Sequence, residues 1–274
     1  MLNKDTTLCI SLAGRPSNIG TRFHNYLYEE LGLNFVYKAF TTGDIEGAIG
    51  GVRALGIRGC SVSMPFKEAV IPLVDELTDS ARAIESVNTI VNAMGRLTAY
   101  NTDYEAVSAL IGRPALDPAA SVLVRGSGGM AKAVVAAFRD AGFGDLTVLA
   151  RNPTAGRALA DKYGYRWVQA DPDPRQADAI IVNVTPLGMN GPDADALAFP
   201  HAQIEAARAV FDVVAFPAET PLIRAARAAG KPVITGAEVI ALQAARQFEL
   251  YTGASITADQ VQRASAFSRE SAGS

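Results

Sequence analysis

Ser121-Val122-Leu123-Val124-Arg125-Gly126-Ser127-Gly128-Gly129-Met130-Ala131 runs from apolar residues straight into glycines and then into an alanine-rich stretch. The apolar run bounded by glycine predicts a strand, and the small residues over 131–141, stopped at Gly142, predict a helix. Between them lies the pattern G-x-G-x-x-A. Glycine there lets the chain turn tightly and lets backbone N–H groups approach a pyrophosphate, whose charge the helix N-terminus stabilises. The elements that follow give the pattern its context: a strand at 146–150, a helix at 154–163, and strands at 166–168 and 179–184. That is the βαβαβ order of a dinucleotide-binding unit. Gly126, Ser127, Gly128, Gly129, Met130 and Ala131 are therefore candidate cofactor contacts. The end of the second strand selects the nucleotide. An NAD site wants Asp or Glu there, whereas this chain has Arg151-Asn152. Arg151 suits a 2'-phosphate, although a guanidinium also stacks on adenine without discriminating. NADP is expected, with NAD as the alternative. Loops at the ends of two later strands, Asn183-Val184-Thr185-Pro186-Leu187-Gly188-Met189 and Phe211-Asp212-Val213-Val214-Ala215, add Asn183, Thr185, Pro186 and Val213, and Gly236 joins this set.

Upstream, residues 8–12, 35–40 and 57–63 read as strands. A helix between the first two is expected to start at Thr21 as N-cap and to stop at Gly32. Asp44 caps another, whose Ile45, Ala48, Ile49 and Val52 repeat at helical spacing. The third strand runs into Cys60-Ser61-Val62-Ser63-Met64-Pro65-Phe66-Lys67, where small hydroxyl residues lead to a single lysine and Pro65 ends the ladder. A short helix is expected over 67–74. A lone lysine in such a place is ordinarily a solvated loop residue. Residues 89–92 and 97–100 flank Ala93-Met94-Gly95-Arg96 as a hairpin forming an antiparallel edge. Asp103 then stands as N-cap of a helix over 104–111. Thr220 caps a helix at 222–229, and helices at 237–251 and 257–268 finish the chain. The expected fold class is α/β with two α/β domains. Residues 1–103 plus 237–274 form an N-terminal substrate-binding domain with a mainly parallel sheet, and 104–236 a Rossmann-like NADP-binding domain.

Composition excludes several classes of partner. Of 274 residues 49% are hydrophobic, and 25 Lys and Arg stand against 28 Asp and Glu for a net charge of -3, so no basic field invites nucleic acid. No run approaches the ~18 apolar residues of a membrane span, and the first residues carry no signal core. Cys9 and Cys60 lie in apolar runs and, with only His24 and His201, assemble no metal site. Buried thiols in a reducing cytoplasm are expected.

Six stretches in order resemble the shikimate dehydrogenase family. Ser61-Val62-Ser63-Met64-Pro65-Phe66-Lys67 is similar to its S/N-V-T-x-P-F-K motif, Val87-Asn88-Thr89 to its A-V-N-T, and Asn101-Thr102-Asp103 to its N-T-D. Gly126-Ser127-Gly128-Gly129 resembles its G-A-G-G loop, Asn183-Val184-Thr185 with Gly188-Met189 its N-x-T-x-x-G-M loop, and Gln243 its C-terminal substrate glutamine. The resemblance implies NADPH-dependent reduction of 3-dehydroshikimate to shikimate, a step toward aromatic amino acids, with quinate and NAD used by relatives. It implies Lys67 and Asp103 as the catalytic pair, and Ser61, Ser63, Asn88 and Gln243 as binders of ring hydroxyls. One departure is plain. The family's Ser-x-Ser pair, which holds the substrate carboxylate, is replaced by Asn18 and Gly20, with Thr21 where proline is usual. Ser17, Asn18 and Thr21 are the groups left to replace it. Ala215 and Asn152 also depart from the usual tyrosine and threonine, which together imply a shikimate dehydrogenase-like paralogue. A nucleotide-binding regulatory protein of the same fold is the reading from a different class, and oligomeric state is not legible.

Overall fold

The structure is a computed structural model that describes residues 2–112, 116–170 and 179–270. The chain divides into two compact units, Met1–Thr102 with Ala241–Ser274, and Asp103–Ile240. The first begins with β1 (Thr7–Ala13), α1 (Asn18–Glu30), β2 (Phe35–Thr41), α2 (Ile45–Ala54) and β3 (Gly59–Val62). It continues through a 3-10 turn at Ile71–Leu73, β4 (Glu76–Leu77), α3 (Asp79–Ile84), β5 (Thr89–Ala93), β6 (Arg96–Tyr100) and the start of α4 (Thr102–Ile111). Its strands lie in the order β2-β1-β3-β5-β6-β4. β1 pairs in parallel with β2 and β3, while β3-β5 and β5-β6 are antiparallel. Successive residues of β1 serve opposite faces, as the pleat dictates: Ile10 and Leu12 join Ile49, Val52, Val62, Ile90 and Leu97, whereas Cys9 packs with Phe23, Leu27, Tyr37, Phe248 and Tyr251. A sheet covered on both faces is why its strands read as continuous apolar runs.

The second unit holds β7 (Val122–Arg125), α5 (Gly129–Asp140), β8 (Leu146–Leu149), α6 (Pro153–Tyr163), β9 (Arg166–Val168) and β10 (Ile180–Asn183). α7 (His201–Ala206), β11 (Ala209–Asp212), α8 (Pro221–Ala228) and β12 (Val233–Thr235) follow, then α9 (Gly236–Thr252) and, back in the first unit, α10 (Ala258–Arg269). Every pairing in the order β12-β11-β10-β7-β8-β9 is parallel. This is the doubly wound arrangement, with its switch point between β7 and β10.

The α/β class with a Rossmann-like unit is as expected, but several boundaries differ. α1 begins at Asn18 with Ser17 as N-cap, so Thr21 lies inside the helix and is not its cap. α4 begins at Thr102, so Asp103 stands in its first turn and is not the N-cap; the Asn88 side chain takes up the Thr102 N–H from outside the helix. Over 67–74 only the 3-10 turn forms, because Pro72 lacks the N–H that an α-helix would need. α5 starts two residues earlier than expected, at Gly129. The hairpin is not the sheet's edge, since the two-residue β4 pairs outside β6. β4 and α7 had no clear sequence signal.

Candidate active site

The first unit gathers its polar groups around the dipeptide Val87-Asn88. The Val87 N–H donates to the Lys67 carbonyl at 2.9 Å, and the Val62 N–H donates to the Asn88 carbonyl at 2.8 Å. These bonds fasten the turn after β3, with Lys67 half-buried in it, to the residues that lead into β5. On the other side the Asn88 Oδ1 accepts from the Thr102 N–H at 2.8 Å, from Thr102 Oγ1 at 3.1 Å and from Thr89 Oγ1 at 2.9 Å. Asp103 is the next residue along α4. Asn88 is thus flanked by the backbone of Lys67 and by the turn that carries Asp103. Asn88, Thr89 and Thr102 are all buried, as is Gln247 of α9, whose Nε2 donates to Thr89 Oγ1 at 2.8 Å and to the Asn88 carbonyl at 3.3 Å. Gln243, one turn earlier on α9, is half-buried.

Ser61, on β3, shares a 2.7 Å hydrogen bond with the Tyr37 hydroxyl, while Ser63 is exposed in the following turn. Ser17 and Asn18 are exposed at the start of α1, and Ser17 makes no capping bond. The Thr21 hydroxyl is buried without a hydrogen-bond partner. The Gly14 N–H donates to the Met64 carbonyl at 3.0 Å, which ties the loop after β1 to the turn that carries Lys67.

Beneath these groups His24 is fully buried, stacked on Tyr37 with ring centroids 4.4 Å apart, and neither ring nitrogen is hydrogen-bonded. Burial holds its pKa down to about 3, with the neighbouring Gln247 carboxamide opposing this weakly. Burial also pushes the Cys9 thiol up to about 11 and the Cys60 thiol higher.

The second unit assembles a nucleotide cradle at the C-terminal ends of its strands. Gly126 has φ +124, and a Cβ there would lie 2.7 Å from Val184 Cγ2, so the loop after β7 packs against the one after β10 only because glycine occupies that position. Gly128, the N-cap of α5, and Gly129 are exposed; no side chain caps this helix and no acidic residue stands in its first turn. That end is built for an anion, and a pyrophosphate fits it. Ser127 and Met130 are half-buried beside it, and Ala131 is buried. Arg151 is exposed just after β8. Asn152 caps α6 through its Oδ1, which accepts from the N–H groups of Thr154 and Ala155 at 3.0 and 3.2 Å. Its oxygen is committed to the fold.

Asn183, also buried, orders the next loop. Its Oδ1 accepts from the Thr185 N–H at 3.0 Å and from Thr185 Oγ1 at 2.6 Å, while its Nδ2 donates to the Leu187 carbonyl and to Asp212. Asp212 is buried too and accepts as well from Thr220 Oγ1 at 2.7 Å and the Val214 N–H at 3.1 Å; burial raises its pKa to about 6 despite these donors. Pro186 is exposed and Val213 half-buried. Gly236 opens α9 where a Cβ would fall 2.3 Å from the Val214 carbonyl oxygen, so its demonstrable role is close backbone approach. Among the described residues no group of three or more His, Cys, Asp or Glu could hold a metal ion, and no helix is long and apolar enough to cross a membrane.

Residues 18–90 match the family model of the shikimate dehydrogenase substrate binding domain. A shikimate dehydrogenase-like protein of Haemophilus influenzae is 60% identical over 270 residues, covering 98% of this chain and 99% of that protein. The chain belongs to the shikimate dehydrogenase family. The shikimate dehydrogenase (NADP(+)) of Chlorobaculum tepidum is 38% identical over 88% of each chain. Among solved structures, shikimate 5-dehydrogenase of Thermus thermophilus in complex with NADP(H) and shikimate superposes with a TM-score of 0.84 at 29% identity, over 96% of this chain and 99% of that one.

Of the residues that the family resemblance implies, Lys67 and Asn88 are held close by the bond from Val87 to the Lys67 carbonyl, Asn88 bonds Thr102, the residue before Asp103, and Ser61 lies on the neighbouring strand. Sequence reasoning missed Gln247, Thr89 and Tyr37. Thr89 lay inside a recognised motif, and Gln247 sits one helical turn beyond Gln243, which places it on the same face of α9.

Proposed function

We propose that the protein is an NADP-dependent oxidoreductase that interconverts shikimate, or a closely related cyclic hydroxy acid, and its 3-keto form in the cytoplasm. The observation that carries this reading is the Val87-Asn88 dipeptide, bonded on one side to Lys67 and on the other to Thr102, the neighbour of Asp103. Residues 1–103 with 237–274 hold the substrate, and 104–236 hold the nucleotide.

Bound NADP(H) supplies or accepts the hydride. The remaining work falls to side chains of this chain. The Lys67 ammonium gives a proton to the ketone oxygen during reduction and takes it back during oxidation, while the Asp103 carboxylate orients that ammonium and the substrate hydroxyl. With the Asn88 oxygen committed to the Thr102 N–H and the neighbouring threonine hydroxyls, its amide NH2 is the group that serves a ring hydroxyl. Ser61, Ser63 and Gln243 bind the other hydroxyls, and Ser17, Asn18 and Thr21 take the place of the family's serine pair toward the carboxylate. Backbone N–H groups over 126–131 hold the pyrophosphate, and Arg151 holds the 2'-phosphate. Asn152 acts by capping α6 beside Arg151. Asn183, Thr185, Pro186, Val213 and Gly236 shape the surface for the rest of the nucleotide.

The test is a spectrophotometric assay of NADP and NAD reduction with shikimate, quinate and analogues, run on the wild type and on Lys67→Ala. Turnover by the wild type, lost in the variant, is expected. No turnover of any of them, or an unchanged rate in Lys67→Ala, overturns the reading and favours a regulatory nucleotide-binding role. Arg151→Ala should weaken NADP much more than NAD; equal losses contradict the phosphate assignment.

A further inference from the structure

We infer that Gln247 is a positioning residue that fixes which end of the Asn88 carboxamide faces the substrate. Hydrogen-bond direction carries the inference. A glutamine Nε2 only donates, so Thr89 Oγ1, 2.8 Å away, must accept. The single proton of Thr89 then goes to Asn88 Oδ1 at 2.9 Å, or to Thr102 Oγ1 at 3.1 Å, whose own proton in that case goes to Asn88 Oδ1. That oxygen also receives the Thr102 N–H, which can only donate, and lies 3.1 Å from Thr102 Oγ1. The Thr102 N–H and at least one of the two threonine hydroxyls thus converge on one oxygen inside a buried cluster drawn from α9, the start of β5 and the start of α4. Turning the carboxamide over would set its NH2 against those donors and leave buried polar groups unsatisfied.

The consequence is a one-way contact. Asn88 offers a donor, never an acceptor, to whatever lies beyond it, so it selects a hydroxyl or carbonyl oxygen on the substrate. The same network holds the Thr102 N–H, and with it the first turn of α4 on which Asp103 stands. Gln247 touches neither Lys67 nor Asp103 in any of its bonds above, and its hydrogen bonds reach the substrate side through Thr89 and Asn88. The inference rests on the function proposed above for Asn88, and it reaches further by naming the group outside the reaction that sets its polarity.

The test compares Gln247→Met, which keeps length and bulk but removes the donor, with Thr89→Val and Thr89→Ser. Gln247→Met and Thr89→Val are expected to raise KM for the cyclic hydroxy acid about tenfold, the equivalent of ~1.4 kcal/mol. The Kd for NADP should not move, and Thr89→Ser should restore KM, which a general loss of folding would not allow. Gln247→Glu should behave as Gln247→Met at high pH and recover as the pH falls, because only a protonated carboxyl can donate to Thr89. A second readout is independent of turnover: the assigned Asn88 side-chain amide pair in 1H–15N spectra should shift in Gln247→Met and Thr89→Val but not in Thr89→Ser. Wild-type KM in both donor-less variants, or an unmoved Asn88 amide pair in both, overturns the inference. If the wild type turns over no cyclic hydroxy acid, the proposed function fails by itself, and the amide pair decides whether Gln247 positions Asn88.

Discussion

Lowering the pH from 7 to 5 should destabilise the unit that carries Lys67 by about 2 kcal/mol through His24 alone. His24 is fully buried on α1 against Tyr37, with neither ring nitrogen hydrogen-bonded, so the native state holds it neutral. Its pKa falls from 6.5 in the unfolded chain to about 3 in the folded one. A depressed folded pKa means that the stabilisation is complete above 6.5 and is lost as the pH falls toward 3. At pH 5 the unfolded imidazole is almost fully protonated and the native one is not, a gap of about 1.5 units at ~1.36 kcal/mol each. Full loss, about 5 kcal/mol, is reached only near pH 3. Urea unfolding followed by tyrosine near-UV dichroism measures it, with Trp167 fluorescence reporting the other unit separately, since five of the eight tyrosines, Tyr26, Tyr28, Tyr37, Tyr100 and Tyr251, lie in this unit and the single tryptophan lies in the other. His24→Phe keeps an aromatic ring on Tyr37 and removes the titration. The wild type should lose about 2 kcal/mol between pH 7 and 5 that His24→Phe does not. Equal pH dependence in the two proteins would refute the reasoning.

Asp212 should act in the opposite sense in the second unit. Its folded pKa is raised from 3.8 to about 6, so the stabilisation is present below 3.8 and is lost as the pH rises through 6, about 3 kcal/mol in all. Trp167 fluorescence during urea unfolding should show a gain on acidification in the wild type that Asp212→Asn lacks; a gain of the same size in both sinks the assignment. Gly236→Ala should cost 2 kcal/mol or more, because the new Cβ meets backbone on the Val213–Val214 side that no rotamer change relieves; an unshifted Tm would contradict it. Asn18→Ser with Gly20→Ser should lower KM for shikimate at least about tenfold, through charge-assisted bonds to its carboxylate. The structure has room for the change, since a Cβ at Gly20 stands 3.7 Å from the Tyr37 hydroxyl. An unchanged KM would remove the serine argument.

What could be read from the chain was whatever is decided within one or two neighbouring elements. The strand, glycine turn and helix of 122–140 are contiguous, and period-2 and 3.6-residue patterns suffice to place them. Thr220 and Asp44 cap their helices as local rules dictate, and Thr257, expected as the first residue of its helix, proves to be its N-cap. The errors arise where distant residues decide. α4 starts at Thr102 because Asn88, far back in sequence, receives its N–H, so Asp103 is not needed as a cap. Ser17 and Thr21 are both competent caps, and the helix keeps Thr21 inside, where its hydroxyl finds no partner. Gln243 and Gln247 share a face of α9, and the rotation that buries Gln247 is set by Phe248 and Tyr251 packing onto the sheet. Asn152, placed before Pro153, caps α6 through its oxygen, a role that its local sequence already signals.

The discontinuity of the first unit bears on how the molecule is made. The Cys9 face of its sheet is covered by Phe248, Tyr251 and Ala264, which a ribosome delivers only after the whole of the continuous unit Asp103–Ile240. The bond from Gln247 to Thr89 closes across 158 residues of chain. A nascent or prematurely terminated chain therefore holds the second unit complete before the first. The Gln247 bonds into the polar network around Asn88 can form only once α9 has been made, and a fragment ending sooner leaves the Cys9 face of the sheet without its apolar cover.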